Sequence, residues 1–197
     1  RGTKRDGGLI GDNQVVKETA AKWTAKYGSL ATSVYGIGTA DGLNEKGLAG
    51  HMLYLNATDF GARDPKKPGV HAGLWLQYLL DNAADVKEAV KLLDEIQPVP
   101  VEARGHKATV HLAIEDASGD SVIVEYVKGE KKLYHGKQYR IMTNDPPYDQ
   151  QLKLLEARTK DFAAPSSETE LPGNVQASHR FQRIAYFGAL LPEPKNE

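Results

Sequence analysis

An asparagine that precedes two prolines is the position in this sequence where a polar side chain is best placed to do chemistry. Asn144 follows the apolar run 139–142 and is succeeded by Asp145, Pro146 and Pro147. Because proline cannot continue a sheet ladder and restricts the residue before it, the sequence predicts Asn144 at the rim of a sheet. A side-chain amide held there can donate to an oxyanion, which contributes about 3 kcal/mol to an acyl-transfer transition state. An Asx-turn is an equally good interpretation of the same residues.

Two other segments could carry chemistry but also have ordinary structural interpretations. Arg180 lies in a predicted helix near the end of the chain, where a surface arginine with a buried stem is the common alternative. The segment 41–47, which reads Asp-Gly-Leu-Asn-Glu-Lys-Gly, is typical of a hairpin turn with solvated charges, in which the Asp41-Gly42 pair supplies the positive φ of the turn. Neither segment specifies a reaction by itself.

The sequence gives little support for a metal site, a serine nucleophile or a dinucleotide-binding loop. The six histidines show no metal-ligand spacing, so surface or hydrogen-bonded core positions are expected for them, with no metal site. A serine-nucleophile elbow is absent from the sequence, and the glycine pair Gly36 and Gly38 lacks the third glycine of a dinucleotide loop. The sequence therefore predicts no cofactor.

The composition of the chain argues against binding to nucleic acid or to an anionic membrane, and against thiol chemistry by these residues. The 197 residues include 25 lysines and arginines and 26 acidic residues, so no net field would attract nucleic acid or an anionic membrane. No apolar stretch is long enough to span a bilayer. The sequence has no cysteine, which excludes disulfides and a thiol nucleophile supplied by these residues.

Hydrophobic periodicity predicts an α+β fold in a single domain over residues 1–197. Its strands precede and follow a central helical region, and the later strands form an antiparallel meander. The predicted strands lie within 21–35, with a turn at Gly28-Ser29, then at 48–55, from 110, and at 122–127, 133–135 and 139–142; the helices cover 70–82, 85–96, 150–158 and 175–191.

Taken together, these motifs resemble the choloylglycine hydrolase family, N-terminal-nucleophile amidases that include penicillin V acylases and conjugated bile salt hydrolases. Order and spacing are most similar to the Gram-negative penicillin V acylase branch. The resemblance covers nearly the whole chain and depends on residues 41–48, on Thr143-Asn144-Asp145-Pro146 with residues 148–151, and on Arg180-Phe181 with Arg183.

The resemblance implies an αββα four-layer sandwich, incomplete at both ends of this chain, and a role for each of three residues. Asn144 would donate its amide to the oxyanion, and Arg180 would support the surroundings of the nucleophile. Tyr54 would line the substrate pocket and offer its backbone N–H to the same oxyanion. The family's N-terminal cysteine is expected upstream of Arg1. One departure is Asp145, where family members usually have serine.

The implied activity is hydrolysis of linear amide C–N bonds in a small N-acyl substrate, such as penicillin V, a conjugated bile salt or an acyl-homoserine lactone. The alternative is a noncatalytic relative that binds small molecules. The resemblance also implies a bacterial protein without a cofactor, in the periplasm or the cytoplasm, and a homotetramer as a candidate assembly.

Overall fold

The computed structural model describes residues 1–103, 105–163 and 166–192. The chain divides into two compact units, Arg1–Arg140 and Ile141–Glu197. The single domain over 1–197 therefore stays a prediction.

A six-stranded antiparallel sheet organises the first unit. The strands of the unit are β1 (Lys4–Asp6), β2 (Leu9–Ile10), β3 (Asn13–Gln14), β4 (Lys22–Thr24), β5 (Ser29–Val34), β6 (Gly38–Asn44), β7 (Ala49–Tyr54), β8 (Gly69–His71), β9 (Gln97–Val99), β10 (Glu102–Ala103), β11 (His106–Lys107), β12 (Val110–Glu115), β13 (Ser121–Val127) and β14 (Glu130–His135). The strand order of the large sheet is β14-β13-β12-β7-β6-β5, in which β12, β13 and β14 form an antiparallel meander beside β7. The other strands form four two-stranded pairings, β1 with β4, β2 with β3, β8 with β9 and β10 with β11.

Two helices of this unit, α1 (Trp75–Asn82) and α2 (Val86–Glu95), contribute the centre of the core. The prediction for 85–96 is confirmed, and Asp85 caps α2 by accepting from the Glu88 backbone N–H at 2.8 Å. The prediction for 70–82 was wrong in its first part, because Gly69–His71 forms the parallel strand β8 and a 3₁₀ turn, Ala72–Leu74, precedes α1.

Glycines in β6 and β7 let α1 lie directly on the sheet. Gly42 and Gly50 are opposite each other in register. A Cβ added to Gly42 would lie 2.5 Å from Leu80 Cδ1, and one added to Gly50 would lie 2.5 Å from Leu76 Cδ1. Leu76 and Leu80 are one helical turn apart, so both pack on a strip of sheet without side chains.

This packing corrects the prediction of a turn at Asp41-Gly42. Both residues lie inside β6, and the chain turns later, at residues 45–47, where Gly47 has a φ of +86°. The Asp-Gly pair is a turn signal, but here the glycine is required by the buried side chain of Leu80 above it.

The second unit is helical within the residues that the structure describes. It contains α3 (Tyr148–Glu156), the short α4 (Thr159–Ala163) and α5 (Ala177–Leu190). Helices α3 and α5 pack through an edge-to-face contact between Tyr148 and Phe181, whose ring centroids lie 5.6 Å apart. The helices predicted at 150–158 and 175–191 are thus confirmed with shifted ends.

The prediction of a strand at 139–142 was wrong. The Tyr139 N–H donates to the Gly136 carbonyl at 2.9 Å, and the Ser121 hydroxyl donates to the Tyr139 carbonyl at 3.1 Å, so the backbone turns away from the ladder after β14. Asn144 consequently lies in a bend between β14 and α3 and does not end a strand. No helix in the described parts of the chain is long and apolar enough to cross a membrane.

Candidate functional site

Asn144 and Arg180 lie in hydrogen-bond contact in the second unit. Arg180 Nη2 donates to Asn144 Oδ1 across 2.7 Å, and the pair is partly buried. Since a guanidinium has only donors, the amide atom that faces it must be the oxygen. The Nδ2 end of Asn144, which carries two donor hydrogens, is therefore directed away from Arg180.

Arg180 is itself held by a second contact. Its Nε donates to the Val175 carbonyl at 3.1 Å, just before α5 begins. Contacts on two sides fix the plane of the guanidinium, and because the donor is charged, the bond to Asn144 is stronger than one between neutral groups. The arrangement favours a specific role for Arg180 over that of an ordinary surface arginine.

The backbone around Asn144 is fixed by Gln151 of α3. Gln151 Nε2 donates to the carbonyls of Asn144, at 2.7 Å, and Pro146, at 3.1 Å. Its Oε1 accepts from the Thr143 hydroxyl at 3.0 Å, and that hydroxyl also lies 3.0 Å from the Ala177 carbonyl at the start of α5. Gln151 and Thr143 are both buried. Sequence reasoning included Gln151 in a motif but gave it no role.

The third predicted site residue, Tyr54, belongs to the first unit. It is the last residue of β7, is 47% exposed, and pairs in register with Val110. A hydrogen bond with the Tyr35 side chain, and secondly burial, raises the pKa of Tyr54 above its usual value of 10.0. A pocket-lining role for Tyr54 stays a prediction.

Asn44, in the motif 41–48, has a structural role. Its Nδ2 donates to the carbonyls of Leu80 and Ala83 at the end of α1, at 2.9 and 2.8 Å. Its Oδ1 accepts from the backbone N–H groups of Lys46 and Leu48, at 2.9 and 3.1 Å. The side chain is buried and joins the β6–β7 turn to the helix. This part of the motif therefore serves the fold of the first unit.

Two carboxylates bracket His51 on the sheet face opposite α1. Asp41 Oδ1 lies 2.7 Å from Nδ1 and Glu115 Oε1 lies 2.8 Å from Nε2. The hydrogen bond to Glu115, and then that to Asp41, raises the pKa of His51 to about 9 although partial burial opposes the shift. In the sequence, only the alternation of side chains between the two faces of β6, β7 and β12 could have indicated this cluster.

His71 contradicts the prediction that the histidines lie at the surface or are hydrogen-bonded in the core. Its ring is fully buried, and neither nitrogen has a partner with hydrogen-bond geometry among the described residues. Burial, against a weaker opposing effect of the Leu9 backbone, lowers the pKa of His71 to about 4. Nothing in the sequence signals this environment.

Comparisons with known proteins agree with these motifs. The profile of linear amide C–N hydrolases of the choloylglycine hydrolase family matches residues 9–197. The penicillin V acylase of Pectobacterium atrosepticum is 40% identical over 177 residues, which cover 84% of this chain and 46% of that protein. The bile salt hydrolase/transferase of Clostridium perfringens is 26% identical over 202 residues, or 87% and 59% of the two chains.

A solved structure shows the same relationship. The penicillin V acylase from Agrobacterium tumefaciens is 40% identical and superposes with a TM-score of 0.82, over 100% of this chain and 57% of that one. The chain thus spans about half the length of the curated relatives that it matches. The mixed helix and sheet of the first unit agrees with the predicted α+β class. This chain belongs to the choloylglycine hydrolase family of linear amide C–N hydrolases.

Proposed function

We propose that the protein to which this chain belongs hydrolyses the linear amide bond of a small N-acyl substrate, and that Asn144 stabilises the oxyanion. The observation that carries the proposal is the hydrogen bond from Arg180 Nη2 to Asn144 Oδ1, 2.7 Å long. It sets the direction of the amide, so the Nδ2–H donors are aimed before any substrate binds. Preorganised donors of this kind stabilise developing charge without reorganisation.

The proposed reaction needs a nucleophile from outside these residues, because the 197 residues contain no cysteine. An N-terminal cysteine would attack the amide carbonyl, and its α-amino group, with a pKa of about 8, would take the thiol proton. That proton would then pass to the leaving amine, and water would hydrolyse the thioester. Asn144 would donate to the carbonyl oxygen in both tetrahedral intermediates.

Arg180 contributes to this step through Asn144. Donation of a charged N–H to Oδ1 withdraws electron density from the amide, and hydrogen bonds in such a chain strengthen one another. The Nδ2–H groups become better donors as a result. Arg180 is therefore proposed as a positioning residue for the oxyanion donor.

The proposed substrate classes follow from the names of the relatives, which act on penicillin V and on bile salts. Acyl-homoserine lactones present the same kind of linear amide. Tyr54 is proposed to line the acyl pocket, and a four-layer αββα sandwich is proposed for the whole protein. The packing of α1 and α2 on one face of the six-stranded sheet supports that architecture.

The test is amide hydrolysis by the full-length protein with penicillin V, a glycine-conjugated bile salt and an acyl-homoserine lactone. For the substrate that is hydrolysed, Asn144→Ala is expected to lower kcat on the order of a hundredfold or more. Asn174→Ala is the matched control, because Asn174 is exposed and its side chain accepts only from the nearby Gln176 N–H among the described contacts. Unchanged kcat in Asn144→Ala would remove Asn144 from the mechanism.

The alternative is a noncatalytic relative that binds such molecules, and the observation that favours it is Asp145, whose carboxylate would lie beside the developing oxyanion where family members usually have serine. The same assay separates the two functions. Binding of penicillin V or a bile salt by calorimetry, with no release of the amine product, would support the binding protein.

A further inference from the structure

The fully buried side chain of Gln151 lies next to the proposed oxyanion donor and has no assigned role. Only 1% of its surface is exposed, and both ends of its amide are engaged. Most buried amides in a helix–loop contact serve the fold alone. Gln151 is different because both of its donor contacts are to the loop that carries Asn144.

The two contacts lie on either side of Asp145. Gln151 Nε2 is 2.7 Å from the Asn144 carbonyl and 3.1 Å from the Pro146 carbonyl. An NH₂ group has two hydrogens, so one side chain can satisfy both carbonyls at once. The bend at 144–146 is thereby tied to α3 at its first and last residues.

The acceptor end of Gln151 connects the loop, through Thr143, to the start of α5. Thr143 Oγ1 lies 3.0 Å from Gln151 Oε1 and 3.0 Å from the Ala177 carbonyl, where α5 begins. Arg180, which bonds to Oδ1 of Asn144, lies in the first turn of that helix. The backbone of Asn144 is held from α3, and its side chain is held from α5.

We infer that Gln151 is a positioning residue for the reaction, acting through the backbone of Asn144. The inference rests on the proposed function, because it assigns Asn144 to the oxyanion. A donor displaced by about 1 Å from its productive place can cost on the order of a hundredfold in rate. Gln151 therefore affects the chemical step, while substrate affinity depends on other residues.

The test uses the full-length protein, with kcat and KM for the substrate that the wild type hydrolyses. Gln151→Leu is expected to lower kcat at least tenfold while KM changes less than twofold. Gln150→Leu is the matched control, since Gln150 is the exposed neighbour of Gln151 in α3 and its side chain makes no hydrogen bond among the described contacts, and its kcat is expected within about twofold of wild type. A folded Gln151→Leu protein with wild-type kcat overturns the inference.

A double variant distinguishes positioning from a general effect on the fold. In an Asn144→Ala background, Gln151→Leu is expected to change kcat less than twofold, because no amide remains to be positioned. An equal loss in both backgrounds overturns the inference. Wild-type kcat in Asn144→Ala alone refutes the proposed role of Asn144 and this inference together, whereas a slow Asn144→Ala with a fast Gln151→Leu refutes the inference alone.

Gln151→Glu keeps the test decisive if Gln151→Leu does not fold. The glutamate has the same volume and retains an acceptor for Thr143, but when ionised it places a carboxylate against the Asn144 and Pro146 carbonyls. When protonated it can again donate to one of them. We therefore expect kcat of Gln151→Glu to recover as pH falls, relative to wild type at the same pH. Wild-type kcat for Gln151→Glu at a pH above the measured pKa of the introduced carboxyl overturns the inference.

Discussion

Arg180 Nη2 lies 2.7 Å from Asn144 Oδ1, which fixes the direction of an amide whose donor end is proposed to bind an oxyanion. The two residues are 36 positions apart in the sequence. Neither residue has a specific chemistry by itself, because an asparagine in a bend and an arginine on a helix are common. The contact between them fixes the orientation of the Asn144 amide relative to the Arg180 guanidinium.

Replacing Arg180 should slow turnover without preventing substrate binding. Arg180→Ala is expected to lower kcat by roughly ten- to a hundredfold, because Asn144 can then rotate and lose its alignment with the oxyanion. Arg180→Lys should recover part of this, since lysine keeps the charge but lacks the planar fork. Steady-state kinetics of the full-length protein measures both. Arg183→Ala is the control, because Arg183 bonds to the Pro172 and Asn174 carbonyls.

Asn44 should matter for stability and not for turnover. Asn44→Ala leaves the carbonyls of Leu80 and Ala83 and two N–H groups of the β6–β7 turn without this partner, and each buried unsatisfied group costs about 1–3 kcal/mol. Urea denaturation of the full-length protein should show a loss of several kcal/mol. Glu45→Gln is expected to have a much smaller effect, because its ion pair with Arg1 is exposed. Equal losses in the two variants would contradict the structural role of Asn44.

Gly50 should not tolerate a methyl group. A Cβ there would lie 2.5 Å from Leu76 Cδ1 and 2.8 Å from Ile114 Cδ1, and both of these side chains are fully buried. Overpacking of this kind costs about 1–3 kcal/mol, so Gly50→Ala should lower the melting temperature. Gly188→Ala, at a helical position where the added Cβ would meet no described atom beyond its own helix backbone within 4 Å, should leave stability unchanged or raise it.

The sequence predicted those features that local patterns determine. The alternation of apolar residues was enough to predict β12, and helical periodicity was enough to predict α2. The motifs were enough to predict the family. The prediction of a turn at Asp41-Gly42 was wrong because glycine is favoured both in tight turns and where a helix packs closely on a strand. Only the position of Leu80 decides between these two roles for Gly42. The Asn144–Arg180 contact could be suspected from the family pattern, but its geometry depends on how α5 packs. The environment of His71 depends wholly on tertiary burial.

His51 should remain protonated well above neutral pH. Its pKa of about 9 exceeds the usual 6.5, so the folded protein binds this proton more tightly than the unfolded chain. The resulting stabilisation is fully present below pH 6.5 and is lost as the pH rises through 9. NMR titration of the imidazole measures the pKa directly. Glu115→Gln should lower it more than Asp41→Asn, and a wild-type midpoint near 6.5 would contradict the bracketed geometry.

His71 should make the protein sensitive to acid. Its pKa falls from 6.5 in the unfolded chain to about 4 in the folded protein, so the unfolded state binds the proton more tightly. The stability that the neutral ring permits is present above pH 6.5 and is lost as the pH falls towards 4, a change on the order of 3 kcal/mol. Denaturation of the full-length protein across this range measures it. His71→Leu has no titrating group and leaves no unpaired ring nitrogen, so its stability should vary less with pH than that of wild type. An unchanged pH dependence in His71→Leu would show that other groups cause the acid sensitivity.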